Sequence, residues 1–458
     1  MEKHTSTPQH TSIDHSLPKR TSGCTTPSNA PLVPHKPLPE PMVISILDGW
    51  SEERSLDDYM IDVQKQVAAA AIEREVEELC GARYVHQSGH KKRFQRWGTY
   101  WGSIRIRSEW VPMQIPRVRD TQTGKEVQLK TYQRLRQLSE KQKRRLVNSI
   151  FCGLSQRNDK QVTQECADSF GLSAPTVSRI FKDYTAQILH DFEEMDLSGQ
   201  RYIVVMMDAT KIRNKHIMIC VGITESGTKT VLGFTELHTE NAEAIERLLE
   251  RMIRRGLRYD QGLLFVVDGA KGIHSAITTV FGDYAYIQRC TQHKRENIKG
   301  HLSNDKKRSI VERQLNKVYL GEHSYSEAKQ ELEDIQEQLE KDGYTEAANS
   351  LLEGMQETLM LHLLKVTTEL RLHLRTTNIM ESLNSIVKER YRKIRHWTSS
   401  EQCHRWVVLG LLEAEDKVQN IPLTEDLKQL QKALREQVAQ RKNIHHTYQP
   451  PNGSFNKV

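Results

Sequence analysis

Two stretches of the chain are apolar without interruption, residues 202–207 (YIVVMM) and 263–267 (LLFVV). Such runs are expected of strands that a sheet buries on both faces. Between them KHIMICVGIT (215–224) and TKTVLGFTEL (228–237), joined by the turn ESGT, predict a β-meander. ENAEAIERLLERMIRRG (240–256) spaces its apolar residues helically and closes on Gly256. GAKGIHSAITTVFG predicts a short helix and YAYIQR a last strand. The expected order is β-β-β-α-β-α-β.

Upstream, residues 56–80 predict a helix, with Leu56, Tyr59, Met60, Val63, Val67, Ala70 and Ile72 as its apolar stripe. Residues 94–118 alternate Ile104 and Ile106 with Arg105 and Arg107 and place Pro112 and Pro116 late, which predicts two or three short antiparallel strands. A basic helix is expected over 130–151. Residues 156–185 carry a helix-turn-helix pattern. Ala167 is small where two helices approach, Gly171 suits a turn with positive φ, and Leu172, Val177 and Ile180 face inward. Ser173 can cap the second helix, and Pro175 lies in its first turn. An ordinary helical hairpin would share these features. A DNA reader would expose Thr176, Ser178, Arg179 and Lys182.

Residues 305–372 are rich in Glu, Gln, Lys and Leu and predict an all-α insertion; TTNIMESLNSIVKERYRKIR and 401–418 then predict further helices. A surface helix is expected over 425–440 and a frayed polar end over 443–458. The fold class expected is α/β. An RNase H-like core, whose element order the strands and helices follow, would be interrupted by the all-α insertion and preceded by a small basic β segment and the helix-turn-helix. The expected divisions are a Pro-rich tail (1–45), a basic DNA-binding region (46–150), the helix-turn-helix (151–195), a first core part (196–304), the insertion (305–372), a second core part (373–420), and a C-terminal helix and tail (421–458).

Charge sharpens this picture. The 458 residues carry a net +7, yet residues 91–150 hold sixteen Lys and Arg against four Asp and Glu. A basic segment on a mildly acidic body is the footprint of a nucleic-acid binder, and also of a merely solvated surface. Eight of the fourteen prolines fall in residues 1–42, which predicts a flexible tail. Seven scattered cysteines without a CxxC motif exclude a disulfide scaffold. No apolar run approaches membrane-spanning length and no signal peptide is recognisable, so a soluble, cytoplasmic protein without a membrane partner is expected. No GxxxxGK[ST] or GxSxG motif is present, so neither an ATP-driven step nor that type of nucleophile is assigned.

Three acidic residues carry the candidate chemistry. Asp208 ends YIVVMMD, Asp268 ends LLFVVD and opens DGAKG, and Glu381 lies in TTNIMESLN. Carboxylates at the ends of neighbouring strands open onto a crevice and can converge with a third on hard divalent ions. Such a cluster activates water or a 3′-hydroxyl for attack on a phosphodiester. Asp at a strand end also starts turns and caps helices. Glu381 has an equal alternative as the third-position partner of an Asn378 cap. Gly269 and Gly272 keep bulk away from the turn. Cys290 and His293 form CTQH; a zinc half-site lacks its second half, and a packed Cys beside a hydrogen-bonded His is the stronger reading. Lys294, Arg295, Lys388, Arg390 and Arg392 are candidates for phosphate contact or for a solvated helix face.

At these residues the chain resembles the Mutator-type transposases of bacterial insertion sequences. VVMMDAT, VVDGAKGI, QRCTQHKRENI and TTNIMESLNS carry the resemblance, with VPMQIPRVRD upstream. It spans roughly residues 55–420 and does not include the Pro-rich tail. It implies an RNase H-like core with a catalytic and metal-binding triad, here Asp208, Asp268 and Glu381, served by Mg²⁺ or Mn²⁺, as two ions. Cys290 and His293 match the family's characteristic pair in a supporting role. It implies cleavage of double-stranded DNA at terminal inverted repeats, joining of the 3′-hydroxyls to target DNA, a homo-oligomer of at least two copies at synapsis, and association with the nucleoid. A structure-selective nuclease on the same fold and a non-catalytic, domesticated DNA-binding regulator are the rival readings.

Overall fold

A computed structural model describes residues 50, 55–83, 93–106, 109–154, 159–237, 242–391, 394 and 397–447. The Pro-rich tail, Arg107, Arg392 and the last residues of the expected polar end lie outside the described residues. The fold is mixed α/β, in two compact units, one ending at Tyr184 and the other starting at Thr185.

The first unit opens with helix α1 (Leu56–Cys80). Its buried face is Ala68, Ile72, Val76 and Cys80, four residues apart. The expected stripe is therefore corrected: Leu56, Val67 and Ala70 face solvent. At 3.6 residues per turn a spacing of four advances about 40° per step, so this buried line winds slowly around the helix. Strands β1 (Phe94–Ile106) and β2 (Glu109–Asp120) are longer than expected and pair antiparallel; the short β3 (Glu126–Val127) completes the sheet. β3 reaches only Val118 and Arg119 of β2. Pro112 and Pro116 thus fall where β2 has one partner strand, so their missing N–H groups break no second ladder.

The basic stretch expected as one helix is two, α2 (Lys130–Arg136) and α3 (Glu140–Leu154). Ser139 divides them. Its N–H donates to Gln142 Oε1 at 2.9 Å and its Oγ accepts from Gln142 N–H at 3.3 Å, a capping box that starts a new helix. Helices α4 (Asp159–Ser169) and α5 (Ala174–Glu193) meet at Gly171, whose φ is +56°. Leu172 N–H donates to Ala167 O and Gly171 N–H to Asp168 O, the paired bonds of a Schellman turn. The turn is held from the hairpin: Arg105 donates to Phe170 O, and Trp110 Nε1 donates to Gly171 O at 3.0 Å. The Arg105 guanidinium stacks 4.6 Å above the Trp110 ring. Val177 is buried, as expected, whereas Leu172 and Ile180 are half-buried.

The second unit is built on a five-stranded sheet. Strands β4 (Tyr202–Ile212), β5 (Lys215–Thr224) and β6 (Lys229–Leu237) form the meander. Helix α6 (Ala242–Arg254), β7 (Leu263–Val267), α7 (Lys271–Phe281) and β8 (Ala285–Arg289) follow in the expected order. The strand order is β6-β5-β4-β7-β8, antiparallel across the meander and parallel from β4 to β8. α6 and α7 bury Leu248, Leu249, Met252 and Ile277 against Val205, Met207, Phe265 and Val267.

After α8 (Thr291–Gly300) come α9 (Asp305–Leu320), α10 (Tyr325–Lys341), α11 (Thr345–Leu352), α12 (Met355–Thr358), α13 (Met360–Leu363) and α14 (Thr368–Leu374). This all-helical segment has its own core, with Leu315, Leu332, Leu339 and Leu351 inside. Helices α15 (Asn378–Arg390) and α16 (Ser400–Lys417) return the chain to the sheet. α15 ends at Arg390, short of the run expected. The last helix, α17 (Thr424–Thr447), is longer than expected; as a surface helix does, it buries one stripe (Leu427, Leu430, Leu434 and Val438) and exposes Lys428, Lys432, Arg435 and Glu436.

His362, in α13, is buried, and the Val318 backbone is the group that favours its protonated form. Burial, and then the Arg371 charge, lower its pKa from 6.5 to about 4. The folded state therefore refuses a proton that the unfolded chain takes. Stability is full above about pH 6.5 and falls as pH drops towards 4. Between pH 7 and pH 5 this ring is expected to remove about 2 kcal/mol. Urea unfolding at both pH values should show a smaller loss for His362→Leu than for the wild type; equal losses would contradict the assignment.

Candidate active site

The sheet register brings two of the three acids together. Met206 pairs with Val266 in the parallel β4–β7 ladder. Carried two residues further, that register sets Asp208 beside Asp268. Asp208 does not end its strand, as the apolar run had suggested; β4 continues to Ile212, paired with β5. It is β7 that stops at Val267, and this opens the sheet next to Asp208. Asp268 begins the turn into α7, its Oδ1 accepting from Ala270 N–H at 3.0 Å. The turn role and the site role therefore coexist in one carboxylate.

Gly269 is required by packing. A Cβ there would stand 2.0 Å from an Arg289 guanidinium nitrogen. Arg289, at the end of β8, donates from Nη1 to Glu353 O at 3.1 Å. Cys290 follows, its N–H donating to Val267 O at 2.7 Å, so CTQH opens α8 beside the two aspartates.

Glu381 lies near the start of α15, exposed, with Oε1 accepting from Gln292 Nε2 at 3.3 Å. The capping alternative is not what the helix uses. α15 starts at Asn378 with Thr377 as its cap residue and no side-chain cap bond. One turn along, Asn384 is buried and donates Nδ2 to Asp208 Oδ2 at 3.3 Å, while its Oδ1 is buried without a partner. Asn384 and Gln292 were not singled out from sequence. The signal was the spacing: Asn384 is three residues after Glu381 and shares its helix face, and Gln292 lies inside CTQH.

The electrostatics tie these groups together. Burial chiefly raises Asp208 from 3.8 to about 6; Asp268 and Glu381 add to the rise, while His293 and the Ala209 N–H oppose it. The Cys290 thiol holds His293 protonated, with a pKa of about 9 against the cost of burial, and Asp208 and Asp268 contribute. Burial resists ionisation of Cys290, but hydrogen bonding with His293 outweighs it and lowers the thiol's pKa. Thr377 Oγ1 donates to Cys290 Sγ at 3.6 Å. The pair therefore turns the His293 imidazolium towards the carboxylates, with the ionised Cys290 as its counter-charge. Among the described residues no three His, Cys, Asp or Glu side chains are grouped closely enough to hold a metal ion as placed.

Two of the expected phosphate contacts are corrected. Lys294 is buried and donates to Ser350 O and Glu353 O, carbonyls at the C-terminal end of α11; burial lowers its pKa to about 8. Helix C-termini attract cations, which accounts for its place. Arg295 donates to Asn316 Oδ1 and approaches Glu312. Lys388, Ser178, Arg179 and Lys182 are exposed, and Thr176 is half-buried with its hydroxyl 2.9 Å from that of Ser173. The Arg390 side chain and Arg392 lie outside the described residues.

Residues 44–420 match the family described as "Transposase, Mutator family". The chain belongs to the Mutator family of transposases. Its relatives are transposases of insertion sequences. The IS256 transposase of transposon Tn4001 from Staphylococcus aureus is 24% identical over 389 residues, covering 80% of this chain and 94% of the relative. The IS905 transposase of Lactococcus lactis is 24% identical over 370 residues, 79% and 90% of the two chains. That of ISRM5 from Rhizobium meliloti is 26% identical over 365 residues, 76% and 86%. The match spans β1 and β2, the α4–α5 pair and every residue of the acidic cluster. Among the described residues no helix of this transposase is long and apolar enough to cross a membrane.

Proposed function

We propose that the chain cleaves double-stranded DNA at the terminal inverted repeats of a mobile element and joins the freed 3′-hydroxyls to target DNA by phosphodiester transesterification. The observation that carries this reading is the register-set meeting of Asp208 and Asp268, with Glu381 felt by Asp208. The order β6-β5-β4-β7-β8 and the return of α15 to β4 support an RNase H-like core. The donor set fits a hard divalent cation: all three groups offer oxygens, and Asp208 is a half-buried carboxylate held near pKa 6 by burial and like charge. Asp208, Asp268 and Glu381 would hold Mg²⁺ or Mn²⁺, two ions in all, and bound metal supplies Lewis-acid stabilisation of the attacking and leaving oxygens.

The chain's own residues do the rest. Asn384 fixes the rotamer of Asp208. The Asp268–Ala270 turn aims the second carboxylate. For Glu381 to join them, its carboxylate has to exchange the Gln292 amide for the cation. The charged His293 limits repulsion among the acids before metal enters. Thr176, Ser178, Arg179 and Lys182 on α5 would meet DNA, and the Schellman turn braced by Arg105 and Trp110 is compatible with a major-groove reader. Holding two element ends at once calls for at least two copies.

Incubating the full chain with Mg²⁺, labelled element ends and a target plasmid should give cleaved ends and joined products. Cleavage without joining would replace this reading with that of a nuclease. Binding without either product would leave a regulator.

A further inference from the structure

The N-terminal hairpin holds a cavity of about 460 Å³, lined from β1, β2, β3 and α2. This is within the range of roughly 300–1,000 Å³ usual for small-molecule sites. Its aromatic walls are Tyr100 and Tyr132, whose rings meet edge to face with centroids 6.3 Å apart and planes at 89°. Ile115 and Leu129 contribute apolar lining; Gln133 Nε2 donates to Gln128 Oε1 at 2.5 Å, which leaves the Gln128 amide NH2 and the Gln133 carbonyl, and the one acid of the lining, Glu126, is paired with Arg117 at 2.7 Å. The Arg136 guanidinium stands 5.5 Å from the Tyr132 ring. Gly102 makes room for this arrangement, since a Cβ there would lie 2.6 Å from the Tyr132 hydroxyl. Tyr100 is 40% exposed, so the cavity is open to an incoming group.

The chemistry selects a flat, edge-polar, anionic ligand. Ring faces stack on a planar heterocycle, amides offer both a donor and an acceptor to its edge, and a guanidinium meets a phosphate. The surrounding segment has sixteen cationic residues against four acidic ones over 91–150. Exposed aromatics are concentrated there as well: Trp97, Tyr100, Trp101 and Trp110 all belong to this hairpin. We propose that the cavity holds an unpaired nucleobase of a DNA strand, stacked on the exposed Tyr100 ring with the perpendicular Tyr132 ring against its edge, and with a flanking phosphate on Arg136. In a paired duplex each base is covered on both faces by its neighbours, so the tyrosine walls discriminate for a base that is unpaired or turned out of the stack. This rests on the transposase reading only in taking DNA as the polymer.

The test uses the full chain and two labelled DNAs at one fixed salt concentration: a blunt duplex, and the same duplex carrying one extra, unpaired 2-aminopurine nucleotide. Anisotropy titration should show the second bound about tenfold more tightly, as stacking of one base implies. The 2-aminopurine emission should be quenched on binding. Tyr100→Leu and Tyr132→Leu should lose both the preference and the quenching while keeping wild-type affinity for the blunt duplex. Tyr132→Phe, which retains the ring, should keep them. Equal affinities in the wild type, or a preference that survives both leucine variants, would overturn the proposal and leave the transposase reading intact. Failure to bind either DNA would overturn both.

Discussion

Asp268→Asn should lower the rate of DNA cleavage by about a thousandfold or more, since losing a metal-binding carboxylate removes several kcal/mol of stabilisation from the reacting oxygens. Asp208→Asn should do the same. Binding of DNA should survive both changes, because the cationic hairpin segment and α5 lie outside the acidic cluster. Asn384→Ala should fall between these variants and the wild type: it leaves all three carboxylates but frees Asp208 from the Asn384 side-chain amide. Gel separation of nicked and joined products, alongside an affinity measured at the same salt, reads both quantities. Unchanged cleavage in Asp268→Asn would remove this residue from the chemistry and with it the case for the triad.

Gly227→Ala is expected to destabilise the folded chain by about 3–5 kcal/mol, at the upper end for single substitutions. Gly227 sits in the ESGT turn with φ +79°, where an L side chain is strained. An added Cβ would lie 1.9 Å from the Ile421 carbonyl oxygen. The neighbour is backbone and cannot swing aside. It is also pinned, because Ile421 N–H donates to Gly227 O at 3.0 Å and the Ile421 side chain is buried. A urea midpoint within experimental error of the wild type would show that the segment between α16 and α17 is free to retreat.

The sheet was legible in the sequence because its strands are buried on both faces and so leave unbroken apolar runs. The helical segment was legible because Leu recurs there among Glu and Lys. Pairing register is a different kind of information. Nothing in YIVVMMD says that β4 runs on past Asp208, or that the decisive strand end is that of β7. Asn384 went unnoticed because an Asn in a helix looks like a surface residue until its neighbour is seen to be Asp208. Lys294 and Arg295 misled for the converse reason: in KRENIK they look like a solvated cationic face, and only the C-terminal end of α11 explains why one of them is buried. The split between α2 and α3 was readable in SEKQ, where Ser139 and Gln142 form a capping box, but the surrounding Lys and Arg suggested one continuous helix.

Arg289 and Lys294 leave the sheet edge from consecutive elements, and both end on the carbonyl of Glu353. Excising the intervening helices would therefore not leave a tidy sheet with a shortened connection. It would take away the acceptors that hold two cations in place and would release the guanidinium that presses on the DG turn. The helical segment is thus a keystone for the aspartates rather than cargo looped out between them, and grafts between relatives should exchange it together with β8 and the head of α8.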